Sequence, residues 1–65
     1  MNNDVISFLR EKGINIFGSL DSYIKWTETP ILSLGGKRPK DMLEDYGGIK
    51  SIMDILKDIE RGSIL

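Results

Sequence analysis

A chain of 65 residues carries nine basic and ten acidic side chains, a net charge of −1, and neither cysteine nor histidine. That composition excludes disulfide bonds, thiolate metal sites, histidine general bases and the broad positive field of a nucleic-acid binder. A domain this short buries only about 60% of the surface its unfolded chain exposes, so its expected support is another protein surface. No apolar run is long enough to cross a bilayer, and Met1–Asp4 lacks the basic residues and apolar core of a secretory signal. The expectation is a cytoplasmic protein without cofactor, membrane contact or direct nucleic-acid binding.

Taken in chain order, Asn3 caps a first helix from Asp4, whose charge suits the positive end of the helix dipole. Val5, Ile6, Phe8 and Leu9 form its apolar face, and Gly13 is the expected left-handed stop, with Arg10 and Lys12 in the last turn. Ile14 to Gly18 read as an apolar connector. Ile14 and Ile16 alternate with Asn15 as in a strand, but no second strand exists to pair with them. Phe17 would plug the core and Gly18 turn the chain. Ser19 caps a second helix with Asp21 in its first turn, Leu20, Tyr23, Ile24 and Thr27 on one side and Trp26 on the flank. Pro30 forces Thr29 out of helical backbone, so the helix ends there or just before.

The stretch "WTETPILSLGGKRPKDML" is a compact corner between helices. Ile31, Leu32 and Leu34 are expected to tuck beneath them, and Gly35 and Gly36 supply backbone angles other residues avoid. Pro39 opens a one- or two-turn helix, "PKDMLED", that carries Met42 and Leu43 inward. Asp45 caps the longest helix, from about Tyr46 to Arg61, ended by Gly62. Gly47 and Gly48 weaken its first turn by roughly 1 kcal/mol each relative to alanine, which implies a neighbouring element packed close against it. Ile49, Ile52, Met53, Ile55, Leu56 and Ile59 cover an arc of about 160° at 100° per residue, wider than the roughly 100° of a surface helix. Ile55 and Met53, at its edges, are expected to be left for a partner. Lys50, Asp54, Lys57, Asp58 and Arg61 occupy the opposite, solvated side.

Two glycine pairs near lysines, "LGGK" and "YGGIK", fall short of the phosphate-loop pattern and read as turn and cap glycines. Gly36, Lys37 and Arg38 still place backbone N–H groups and two cations at one corner, suited to an acidic partner group. Asp41, Glu44 and Asp45 read as helix-end solvation and capping rather than acid–base catalysis, which needs a cleft to shift a carboxyl. Trp26 and Tyr23 read as core packing before interface anchors. The end of the chain, Ile64 and Leu65 after Gly62, is open to two readings: folded back on the first helix, or inserted into another protein.

Phe17-Gly18, Trp26, Pro30, Leu34-Gly35-Gly36, Pro39, Met42-Leu43, Gly48, Ile52, Leu56, and Ile59-Glu60 followed by Gly62 form an ordered set over about two thirds of the chain. No single element is diagnostic, but the ordered set is fairly specific. The pattern resembles the toxin-binding domain of the Xre/MbcA/ParS family of bacterial antitoxins. Thr27 stands where that family often has leucine after the tryptophan, and Ile31 where asparagine is frequent after the proline. The resemblance implies an all-helical, non-catalytic module that occludes a RES-type toxin, which consumes NAD or transfers its ADP-ribose. Carried over by position, it implies partner contacts at Arg61, Gly62, Ile64 and Leu65, with Gly36, Lys37 and Arg38 as a second patch. Family members usually carry an N-terminal helix-turn-helix domain. Because Met1 stands almost directly at the toxin-binding region, DNA-based autoregulation is not expected here.

The fold expectation is therefore all-α: one domain, residues 1–65, a small bundle of about four short helices with a Pro/Gly-rich corner and a longer C-terminal helix. The functional expectation is toxin neutralisation through Gly36, Lys37, Arg38, Ile55, Arg61, Gly62, Ile64 and Leu65. The alternative is a self-associating structural or adaptor domain using Ile55, Met53 and their neighbours in an isologous homodimer. A DNA-binding regulator is disfavoured by the charge balance, and an enzyme by the lack of histidine, cysteine or a cofactor motif.

Overall fold

The computed structural model describes residues 3–62. Over that span it is helical: α1 (Asn3–Phe17), α2 (Leu20–Thr27) and α3 (Tyr46–Glu60), with two 3-10 turns, Leu32–Leu34 and Pro39–Met42, between α2 and α3. The class is as expected; the number of α-helices is three rather than about four. The stretch from Pro39 closes only a 3-10 turn, the Asp41 N–H donating to the Arg38 carbonyl at 3.0 Å. Pro39 fixes its start, and Asp45 must already be extended (φ −144°, ψ 168°) to cap the next helix, so little chain remains for α-helical turns.

α1 departs further from the sequence reading. Asn3 is already helical, so it is not the cap, and the helix runs through Gly13 to Phe17. The glycine that ends it is Gly18, with φ 91° and its N–H donating to the Ile14 carbonyl at 2.8 Å. Gly13 is there for a different reason. A Cβ at this position would run into the ring of Tyr23, so glycine lets α2 lie directly against the backbone of α1. The apolar "INIF" thus belongs to the helix, and Ile16 and Phe17 pack on the core.

α2 follows expectation. Ser19 Oγ accepts from the Ser22 N–H at 3.1 Å, and past Thr27 the Thr29 hydroxyl donates to the Lys25 carbonyl at 2.8 Å. Phe17, Tyr23 and Trp26 form an aromatic cluster with centroids 5.4 Å apart for Phe17–Trp26 and 6.2 Å for Tyr23–Trp26. Trp26 is half-buried and packs against the core, as the packing reading required. Burial raises the Tyr23 phenol above its ordinary pKa, partly offset by the positive charge of Arg10. The folded state therefore holds this proton more tightly than the unfolded chain does. Its stability is unaffected below the ordinary tyrosine value of about 10, and falls as pH rises through the higher folded value. Thermal unfolding followed from pH 8 to 11 should show that fall, and Tyr23→Phe should lessen it. A fall of equal size in the variant would assign it to other groups.

Leu9, Ile52 and Leu56 are fully buried and Ile49 nearly so, making a core in which α1 meets α3. Lys12 fastens the same two helices at the surface, its Nζ 2.7 Å from Glu60 Oε1 and 5.9 Å from the centre of the Phe8 ring. α3 begins as its sequence implied. Asp45 Oδ1 accepts from the Gly48 N–H at 2.7 Å, and the close neighbour is found at Gly48, where a Cβ would collide with the Met42 carbonyl. Gly47 has no such neighbour; the nearest atom to a Cβ there is Asp45 Oδ1 at 3.6 Å. α3 ends at Glu60, with Gly62 left-handed at φ 76°.

Candidate functional site

The corner is built by four backbone hydrogen bonds. The Ile31 N–H donates to the Lys37 carbonyl, and the Ile31 carbonyl accepts from both Leu34 and Gly36, each at 3.0 Å. Gly35 donates to the Leu32 carbonyl at 2.9 Å. Gly35 and Gly36 stand at φ 74° and 82°, so two successive left-handed residues are what reverse the chain here. The consequence for side chains differs from the sequence reading. Leu34 is half-buried against the core, but Leu32 is 92% exposed, thrown outward by the 3-10 turn rather than tucked beneath the helices. A 3-10 turn brings residues three apart to one side, so Leu32 cannot share the inward direction of Leu34.

The two cations of the corner are not equivalent. Arg38 grips Asp41 with two bonds, Nε to Oδ2 at 2.8 Å and Nη2 to Oδ1 at 3.3 Å. Lys37 makes no ion pair among the described residues, and its charge is open to solvent. The corner therefore offers an exposed leucine and an uncommitted ammonium. The glycine pair beside them pointed to Lys37 and Arg38, but the sequence reading missed Leu32, which it had placed beneath the helices. The nearby carboxylates separate into different tasks, Asp41 pairing with Arg38 and Asp45 capping α3, which is the structural role expected of them.

On α3 the wide apolar arc is largely consumed at home. Ile49, Ile52 and Leu56 are buried, and Met53, expected at a free edge, is half-buried and packs against the core. Ile55 and Ile59 are half-buried and lie outside the core cluster. Arg61 is exposed and bonds to Asp58 at 2.7 Å, next to the exposed Gly62. Ile64 and Leu65 lie outside the described residues.

A second surface was not foreseen. α1, α2 and the second 3-10 turn enclose a solvent-open cleft of about 290 Å³ walled by Ile6, Leu20, Tyr23, Ile24 and Leu43, with Arg10 and Lys40 on its margin. The apolar side of α2 splits across it. Tyr23 and Thr27 are buried, whereas Leu20 and Ile24 remain 43% and 41% exposed. Helical spacing placed these four together; the fold seats Tyr23 against Gly13 and leaves the Leu20–Ile24 row open.

No group of three or more metal-ligating side chains gathers among the described residues, and no helix there is long and apolar enough to cross a membrane. What the fold presents outward is a set of apolar and charged contact points on a small helical frame, the surface of a protein-interaction module. A family model describing the antitoxin Xre/MbcA/ParS C-terminal toxin-binding domain matches residues 12–62. The chain belongs to that family, whose domains bind toxins and are in general non-catalytic. Comparison with curated proteins and with solved structures gave no match. The matched span takes in the corner and α3 but starts after Leu9, so one of the three fully buried core side chains is supplied from outside it.

Proposed function

We propose that this chain neutralises a RES-type toxin by covering the site at which that toxin consumes NAD. The family match across residues 12–62 carries the reading. Gly36, Lys37, Arg38, Ile55, Arg61, Gly62, Ile64 and Leu65 are the proposed contact residues, to which the exposure of Leu32 adds a ninth. Leu32 and Lys37 together suit a partner surface with a small apolar recess beside a carboxylate, where burying the leucine supplies affinity and the charge supplies orientation. This chain performs no chemistry in the proposal; it excludes substrate by bulk.

The test is NAD loss by a purified RES-domain protein as chain is added. Near-stoichiometric suppression is expected, and undiminished loss at saturating chain refutes inhibition. The double variant Leu32→Asp/Lys37→Glu should weaken inhibition by roughly tenfold or more, about 1.4 kcal/mol of binding. Its melting temperature should barely move, because both side chains are exposed. Full inhibition by that variant would remove the corner from the interface.

A further inference from the structure

The cleft beside α2 is apolar within and cationic at its margin, and the same chain carries a protrusion of opposite character. We propose that a second copy of this chain fills it, Tyr46 of each copy entering the cleft of the other. Tyr46, the first residue of α3, is 77% exposed and follows Glu44 and Asp45. Glu44 makes no ion pair among the described residues, and neither does Arg10 at the cleft. Lys40 reaches only Glu28, at 3.9 Å. An aromatic ring beside the Glu44 carboxylate thus faces, on another copy, an apolar recess bordered by Arg10 and Lys40.

Size and position agree with the charges. A cavity of about 150 Å³ holds benzene, so the cleft of about 290 Å³ admits a phenol ring together with part of its backbone. Leu43, in the cleft wall, lies three residues before Tyr46. Protrusion and recess are therefore close along the chain, and in a two-fold arrangement each copy gives and receives, so the assembly closes as a dimer. This surface differs from the α3 edge at Met53 and Ile55 named from sequence, where Met53 is already occupied by the core.

Sedimentation equilibrium of the full chain, from micromolar to millimolar at low and high salt, tests this without any toxin present, so its outcome is separate from that of the NAD assay. A reversible monomer–dimer equilibrium is expected, weaker at high salt. Tyr46→Ala should weaken it at least about 30-fold, because the substitution empties both clefts of their aromatic anchor. Arg10→Glu should weaken it roughly tenfold, and adding Glu44→Arg should restore it. Tyr46, Arg10, Glu44 and Ile24 are all exposed, and circular dichroism will confirm that the variants fold. A monomer at every concentration overturns the proposal. So does a dimer indifferent to Tyr46→Ala and Ile24→Asp, open-ended growth without a dimer plateau, or a cleft protected only when a toxin is added.

Discussion

Leu9→Ala should lower the stability of the folded chain by about 3 kcal/mol, within the range measured for fully buried leucines. Leu9 has no solvent exposure and sits with Ile49, Ile52 and Leu56 where α1 meets α3. In a core with so few members, the void is bordered by a large share of all the buried side chains, and they have little freedom to close it. A domain of this length has a total stability of roughly 3–10 kcal/mol, so the substitution removes between about a third and all of it. Urea unfolding followed by circular dichroism measures this, with Leu32→Ala as the exposed control expected to lie within about 0.5 kcal/mol of the parent. A Leu9→Ala loss below 1 kcal/mol would mean that α1 is not seated as described. The same reasoning predicts that a fragment cut to residues 12–62 does not fold alone, because it lacks the fully buried Leu9 together with Val5 and Ile6, which pack on the core.

The second large effect is a reversal of sign between adjacent residues. In a helix, glycine to alanine ordinarily gains about 1 kcal/mol. Gly47→Ala should do so, since a Cβ there meets nothing closer than Asp45 Oδ1 at 3.6 Å. Gly48→Ala should instead destabilise by about 3 kcal/mol, because its Cβ meets the Met42 backbone carbonyl and no flexible side chain can give way. Relief requires shifting the second 3-10 turn, which also carries the buried Pro39. The Asp45 cap bonds to the Gly48 N–H, so displacement there loosens the helix start as well. The pair is informative because both variants share propensity and differ only in surroundings. Equal melting temperatures for the two would show that the turn does not press on α3.

The comparison of these glycines shows where sequence reasoning stopped. The two glycines opening α3 declared that something came close, and the periodicity of Ile49, Ile52 and Leu56 declared the buried face; both were legible because they are properties of one segment. Gly13 was read as a stop because a glycine after Arg10 and Lys12 has the composition of a helix end. The alternative, a ring pressed on a helix interior, depends on Tyr23 arriving from another element. Leu32 was misplaced for a related reason. Hydropathy says that leucine prefers burial, but a 3-10 turn of three residues cannot direct both of its leucines inward.

The candidate contacts divide in the same way. Lys37 and Arg38 were recognisable as charges beside a glycine turn, yet only the fold shows Arg38 held by Asp41 and Lys37 left open. The cleft could not be read in advance, since its walls come from separate segments of the chain that only the fold brings together.

By itself, the sequence determined the helical class, the caps at Ser19 and Asp45, the buried stripe of α3 and the ordered motif that places the chain in its antitoxin family. These are local: each is set by backbone preference, by spacing along one helix, or by the order of residues. Tertiary structure alone decided which glycines are turns and which are contact points, which apolar residues stay in water, and which cations remain unpaired. Those outcomes depend on the distance between atoms far apart in the chain, and a core this small leaves many apolar atoms competing for few interior places.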